Sequence, residues 1–325
     1  MKVSVVMPVR DGERFLVEAV ESVLAQSLAD LELVVVDDGS TDRTPGLLRE
    51  LSARDARVRV LTKAPSGLTP ALNAGCEAAS APLFARMDAD DVALPDRLER
   101  QVAFLDAHAD AALVGGGIVL VDEDGREIDR EPGPAAPSLL DGNVLVHGTV
   151  VMRAAAFREL GGYRLDQSED YDLWLRLEER YGVAAVAEPV LRYRLHPGQF
   201  SVTKLERQAL GSLCVWAAAR ARRAGAPDPL AGVERLDAGV AERLGVSQEE
   251  IDGQAVADAV QWAATLQRVG RDHEAGALLD SAAAVAGAPS RRALARQSQL
   301  LLLKRAARHG RVGESVRHLA GWARA

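Results

Sequence analysis

Four short apolar runs, at residues 3–7, 33–36, 58–61 and 82–87, are separated by segments whose apolar residues recur at helical spacing. The runs show little alternation, as expected of strands covered on both faces. Between the first two, Phe15, Leu16, Ala19, Val20, Val23 and Leu24 mark one amphipathic helix ending near Ser27. Thr44-Pro45 reads as an N-cap and first helical position, with Leu47, Leu48 and Leu51 on the buried side, and Thr69-Pro70 opens the next helix. Strand and helix in this rhythm mean an α/β fold whose parallel sheet has right-handed crossovers. Ligands of such sheets bind outside the carboxyl ends of the strands. A dinucleotide-binding fold shares the rhythm, but Pro8-Val9-Arg10-Asp11-Gly12 lacks G-x-G-x-x-G. Gly115-Gly116-Gly117 comes too late to open a helix and reads as a strand end or a backbone crossing.

The fourth run stops at Asp88, Asp90 and Asp91, three carboxylates in four positions, with Pro95 opening the next helix. Carboxylates this close repel unless a cation or strong donors sit among them. Alternation would send Asp88 and Asp90 the same way and Ala89 the other. The chemistry suits Mg²⁺ or Mn²⁺, held by one or two carboxylates and sharing its other positions with substrate phosphates. The plainer alternative is a polar turn capping the next helix.

Residues 85–91 followed by Leu94-Pro95-Asp96-Arg97-Leu98 resemble the D-x-D region of the inverting family 2 glycosyltransferases, which have the GT-A fold and use nucleotide-sugar donors. The resemblance continues, in family order, through Val3-Ser4-Val5-Val6-Met7-Pro8-Val9, residues 22–27 and 33–42, and Leu72-Asn73-Ala74-Gly75. It recurs at Glu169-Asp170-Tyr171-Asp172-Leu173-Trp174 and Tyr193-Arg194-Leu195-His196, and so spans roughly residues 1–203. It implies that Asp90 binds the metal and Asp88 the ribose or the metal shell. It also implies that Asp38 contacts a uracil or thymine ring along which Pro8 and Val9 pack, and that Asn73 helps position the donor. On the residues alone, Asp37 and Asp38 read as caps of the following turn, and Asn73 could equally be structural. Leu72 stands where many relatives carry a basic residue, so no phosphate contact is available there.

By the same resemblance Asp170 is the catalytic base. Ser168 looks like the N-cap of its helix, and acidic residues in a first turn also suit the helix dipole, which is a sufficient structural reason for them. Glu169 and His147 are candidates for the acceptor side or its loop, although a histidine at a strand entrance is as often structural. Gly148 replaces a proline frequent in relatives. His196, at the end of a last strand over 191–195, is a candidate third metal ligand or a solvent-exposed residue before Pro197. Trp174 reads as core. Residues 131–142 are rich in turn-formers and read as a mobile loop over the active face, ordered by substrate. The acidic turn 122–125 lacks the ligand spacing of a calcium loop.

Beyond Lys204 alanine, leucine and arginine dominate, which indicates about five or six helices without a strict repeat. The division expected is a transferase domain over 1–204 and a helical appendage over 205–325, serving homo-oligomer assembly or acceptor delivery. The 299–303 run reads as a bundle seam rather than a membrane-surface helix. A net charge of −8 argues against nucleic acid as a partner. No apolar run approaches a membrane span. Two distant cysteines, Cys76 and Cys214, fit small buried hydrophobes in a reducing, cytoplasmic setting, with peripheral contact at the inner membrane face as the remaining option. The expected reaction moves a sugar from a uridine or thymidine diphosphate donor to a hydroxyl acceptor. The alternatives are a sugar-phosphate nucleotidyltransferase, for which Arg10-Asp11-Gly12 is a poor glycine-rich basic loop, and a non-catalytic nucleotide-sugar-binding protein.

Overall fold

The computed structural model describes residues 1–135, 138–196, 205–268 and 270–285. They form two compact units: Met1–His196 with Cys214–Leu236, and the described residues of 205–213 with those from Asp237 onward.

The first unit is built on a nine-stranded mixed sheet. The four apolar runs become β1 (Val3–Val9), β2 (Leu31–Asp37), β3 (Val58–Thr62) and β4 (Leu83–Arg86). They pair in parallel in the order β3-β2-β1-β4. Every β2 side chain is buried, because α1 (Leu16–Leu24), α2 (Thr44–Arg54) and α3 (Leu68–Ala78) pack around these strands. Gly75 permits the close approach of α3, since a Cβ there would stand 2.5 Å from Val6 Cγ1. Val9 pairs with Asp37 and Val6 with Arg86, so β1, β2 and β4 deliver their following residues to one edge.

Beyond β4 the sheet turns antiparallel. After β5 (Val92–Ala93) and α4 (Arg97–Ala107) come β6 (Ala111–Val121), β7 (Glu127–Glu131) and β8 (Val151–Arg153). β8 runs against both β4 and β6, and β7 against β6. After α5 (Ala154–Glu159) and α6 (Glu169–Glu178), β9 (Gly182–Arg194) lies parallel to β6 and receives β5 on its other edge. β9 starts nine residues before the expected 191, because pairing with β6 overrides the weak β propensity of Ala184-Ala185-Val186-Ala187.

Gly115-Gly116-Gly117 lies inside β6 rather than at its end, and Gly117 is a backbone crossing: a Cβ there would stand 2.5 Å from the Glu131 carbonyl oxygen. On Gly133 a Cβ would overlap the Val186 carbonyl. Within 131–142 the described residues are therefore held at Gly133 and at Leu139. The Gly133 N–H donates to the Ala187 carbonyl at 3.0 Å. Leu139, in a 3₁₀ turn over Leu139–Asp141, is fully buried and its carbonyl accepts the Tyr171 hydroxyl at 2.6 Å. Residues 136–137 lie outside the described residues.

The appendage expected from residue 205 is divided differently. α7 (Leu205–Arg223) starts there, but its residues from Cys214 onward belong to the first unit. Trp216 Nε1 donates to the Leu140 carbonyl at 2.9 Å, and Arg222 pairs with Glu179 at 2.8 Å. The second unit contains α8 (Ala238–Arg243), α9 (Gln248–Arg268) and α10 (Asp272–Val285). Val256, Ala259, Ala263, Leu266, Ala275, Leu279 and Ala282 form the α9–α10 seam. The 299–303 run and Trp322 lie outside the described residues. No described helix is long and apolar enough to cross a membrane.

Candidate active site

At the shared edge of β1, β2 and β4 the chain leaves the sheet as Met87 and then makes a turn through residues 88–91. Because 88–91 is not extended, alternation does not govern it, and all three carboxylates converge. Asp88, Asp90 and Asp91 each bring an oxygen within 4.8 Å of the others. Asp91 is the most telling of the three. It is 1% exposed, and its Oδ1 accepts the Arg194 N–H at 2.9 Å. Its Oδ2 is buried without a hydrogen-bond partner among the described residues. Burial first, and then the charge of Asp90, push the Asp91 carboxyl well above the usual carboxylate range. An unpaired buried oxygen beside two further carboxylates is a set of hard donors that fits Mg²⁺ or Mn²⁺. Gly148 keeps one side of the cluster open, since a Cβ there would stand 3.2 Å from Asp91 Oδ2 and 3.3 Å from Asp88 Oδ2. His196 joins the group through Asp90, with Nε2 2.9 Å from Asp90 Oδ2 and the ring 5.4 Å from that of Phe15.

Arg86, the last residue of β4, is a cation beside these acids, as Arg194 is beside Asp91. It is 5% exposed and pairs with Asp88, while its buried Nε has no partner among the described residues. The same guanidinium lowers the carboxyl pKa values of Asp91, Glu169 and Asp170 and disfavours protonation of His147. Its place within the apolar-to-acidic motif was visible in the sequence, but nothing in the spacing distinguished it from an ordinary strand-end arginine.

The second acidic group opens α6. Ser168 does precede the helix, yet it makes no side-chain cap and holds φ +51°, in the left-handed region. The expected cap at α2 is likewise absent. There the Thr44 hydroxyl accepts the Gly12 N–H at 2.9 Å, and Asp42 Oδ1 takes the Thr44 N–H at 2.8 Å. Asp170 is half-buried; its Oδ1 accepts the Tyr171 N–H at 2.7 Å and its Oδ2 accepts from Asn143 Nδ2 at 3.0 Å. Burial pushes its carboxyl up, while the Asn143 bond and the Arg86 charge hold it down. Glu169 is more deeply buried, and burial followed by the Asp170 charge pushes its carboxyl up to about 8.

His147 stands between the two groups. Its Nδ1 is 3.6 Å from Glu169 Oε1 and its Nε2 is 2.9 Å from the Tyr163 hydroxyl. Burial and then Arg86 hold its pKa well below the ordinary value, so it is neutral. Trp174, fully buried with its ring edge-on to His147 at 5.5 Å, belongs to the core.

The expected donor residues are placed as follows. Pro8 and Val9 end β1. Asp38 follows β2 and is 4% exposed; its Oδ1 accepts the Ser66 N–H at 2.9 Å and hydroxyl at 2.8 Å, and its Oδ2 accepts the Gly67 N–H at 2.8 Å. Asn73 gives both ends of its amide to the Tyr163 backbone, donating to the carbonyl at 2.7 Å and accepting the N–H at 3.1 Å.

EpsE and WbnJ are two of the curated relatives that align with this chain. EpsE of Bacillus subtilis (strain 168) is 40% identical over 186 residues, which cover 55% of this chain and 67% of EpsE. The O-antigen biosynthesis glycosyltransferase WbnJ of Escherichia coli is 32% identical over 203 residues, 60% of this chain and 80% of WbnJ. Among solved structures, S. aureus TarS 1-349 in complex with UDP-GlcNAc superimposes with a TM-score of 0.57 at 16% identity, covering 100% of this chain and 92% of that one. Mannosyltransferase PcManGT from Pyrobaculum calidifontis, in complex with GDP-Man and Mn²⁺, gives 0.57 at 17% identity, covering 99% and 84%. Likeness at that identity speaks for the fold, and the mixed sheet with its acidic edge is the GT-A fold. The family model Glycosyl transferase family 2 matches residues 4–159, and with WbnJ it shows that the chain belongs to glycosyltransferase family 2.

Proposed function

We propose that the chain moves a sugar from a uridine or thymidine diphosphate sugar to an acceptor hydroxyl, inverting the anomeric centre, during assembly of a cell-surface polysaccharide or glycoconjugate. The observation that carries this reading is the convergence of Asp88, Asp90 and Asp91, with a buried unpaired oxygen on Asp91, at the carboxyl edge of a parallel sheet. These three residues, with His196 beside Asp90, would hold Mg²⁺ or Mn²⁺. Bound there, the ion supplies positive charge opposite the donor diphosphate.

Asp170 accepts the proton of the attacking hydroxyl on a carboxylate oxygen. Asn143 orients that carboxylate and favours its ionised form. Pro8 and Val9 pack along the base. Asp38 faces the base N–H, or acts one step removed by fixing the Ser66-Gly67 turn that its oxygens already hold. Asn73 contributes through Tyr163, and Tyr163 through His147. Holding donor and acceptor in line supplies the orientational share of the rate. The UDP-GlcNAc and GDP-Man complexes of the two structural neighbours support a nucleotide-sugar donor, and the name of WbnJ supports the polysaccharide setting. The residues of the second unit serve assembly between copies or delivery of the acceptor.

Thermal shift tests this reading. Uridine or thymidine diphosphate should stabilise the protein only with Mg²⁺ or Mn²⁺ present, by about 2.7 kcal/mol at a hundredfold excess over Kd. Asp90→Ala should remove most of the metal-dependent part. Stabilisation by NAD with no response to these nucleotides would overturn the reading.

A further inference from the structure

The segment Cys214–Leu236 lies outside the stretch matched by the family model yet belongs to the catalytic unit. Its final part runs beside residues 164–167, immediately ahead of α6. Arg164 Nη1 donates to Asp228 Oδ2 at 2.5 Å. The Asp166 N–H donates to the Glu234 carbonyl at 2.8 Å, and the Leu236 N–H returns to Asp166 Oδ1 at 3.0 Å. Gln167 Nε2 donates to the Leu236 carbonyl at 3.3 Å. Leu230 and Leu236 are buried.

The same arginine reaches into α6. Arg164 gives two hydrogen bonds to the fully buried Asp172, at 2.8 and 2.7 Å, and Asp172 takes a third from Arg176 at 2.9 Å. Asp228 is also shared with Arg222, at 3.3 Å, whose guanidinium pairs with Glu179 just past the other end of the helix. Between Arg164 and Asp172 in the chain sits Ser168, a non-glycine residue at φ +51°. Such a backbone persists only where its surroundings over-determine it. The residues that do so are 164, 166 and 167 before it and 172 after it.

We infer that residues 226–236 form a strap that sets the Ser168 turn and so aims Asp170, with Asp228 as the principal positioning residue. This rests on the reading of Asp170 as the base. Asp228 touches neither the acid cluster nor Asp170. Its removal leaves the Arg164–Asp172–Arg176 group intact, so α6 stays folded while its lead-in loosens.

The test compares Asp228→Ala, Asp228→Glu and Asp166→Ala in the full chain. Asp228→Ala should lower kcat by about 10- to 10²-fold, the cost of a small misplacement of a catalytic group, while donor KM changes less than about twofold. Amide exchange at 166–171 should quicken, and Asp228→Glu should recover most of kcat. Asp166→Ala releases the strap at a second point and should give the same split, which keeps the test decisive if Asp228→Ala fails to fold. Unchanged exchange at 166–171 in the variants that fold overturns the strap, as does unchanged kcat while Asp170→Asn is inactive. Turnover retained by Asp170→Asn instead removes the base reading. The strap then stands or falls on the exchange of 166–171 alone.

Discussion

Arg86 lies between two acidic groups that would otherwise repel, and its charge favours ionised Asp170 over the neutral acid that burial favours. Asp170→Asn keeps the size of the side chain and can still accept the Tyr171 N–H, but it cannot take a proton. Turnover should fall by about 10² to 10⁴ with donor affinity unchanged, as measured by sugar transfer and calorimetry on the same preparation. Near-normal transfer would return Asp170 to a helix-terminus role. Glu169 makes a separate prediction about stability. Its carboxyl rises from an ordinary 4.5 to about 8, so the folded state binds this proton more tightly than the unfolded chain. The associated stability is fully present below the unfolded value and is lost as pH rises through the folded one. Melting temperature should therefore decline across that interval, and Glu169→Gln, which stays neutral, should flatten the decline. An equal slope in both proteins would contradict the assignment. At this scale the acids are legible in the sequence, and the roles given to Asp88, Asp90 and Asp170 rest on the family resemblance. Alternation presumes an extended chain and so does not say that Asp91 turns toward Asp88 and Asp90, and the reach of Arg86 depends on burial and partners that belong to the folded sheet.

At the scale of elements, β1 to β4 were legible because burial on both faces leaves uninterrupted apolar runs, and α1 to α3 because one-sided burial leaves a helical period. The elements that sequence misplaced are those fixed by partners distant in the chain. The first half of β9 is specified by β6, Gly133 by Ala187 and Leu139 by Tyr171. The absent caps follow the same logic, because Thr44 spends its hydroxyl on Gly12 and Ser168 is held by residues around it. Asn143, in the segment that follows the 3₁₀ turn, belongs to this set. Its bond to Asp170 lowers the carboxyl pKa, so Asn143→Ala should leave Asp170 protonated to higher pH. The acidic limb of the kcat profile should move upward while the alkaline limb stays in place. An unshifted acidic limb would mean that Asn143 does not act on the ionisation of Asp170.

For the whole molecule, the change of composition after Lys204 does not coincide with the change of packing partner. Cys214, Val215, Ala218, Ala219 and Leu230 are completely buried, so a chain ending at Lys204 bares the surface they cover. That chain should be poorly soluble and show a lower melting temperature. A chain ending at Leu236 should retain metal-dependent stabilisation by uridine or thymidine diphosphate. Equal solubility and nucleotide response in the two chains would restore the boundary that the sequence suggests. Gly117 and Gly133 bear on any redesign of the segment that follows them. Two stretches of main chain meet there with no room for a methyl group, and Leu139 is locked under Tyr171 six residues later. Swapping the intervening segment between relatives is therefore a cassette problem with fixed end points. A graft joined after Gly133 and before Leu139 inherits both anchors, whereas one cut outside them carries a wedge into the sheet that bears the active site.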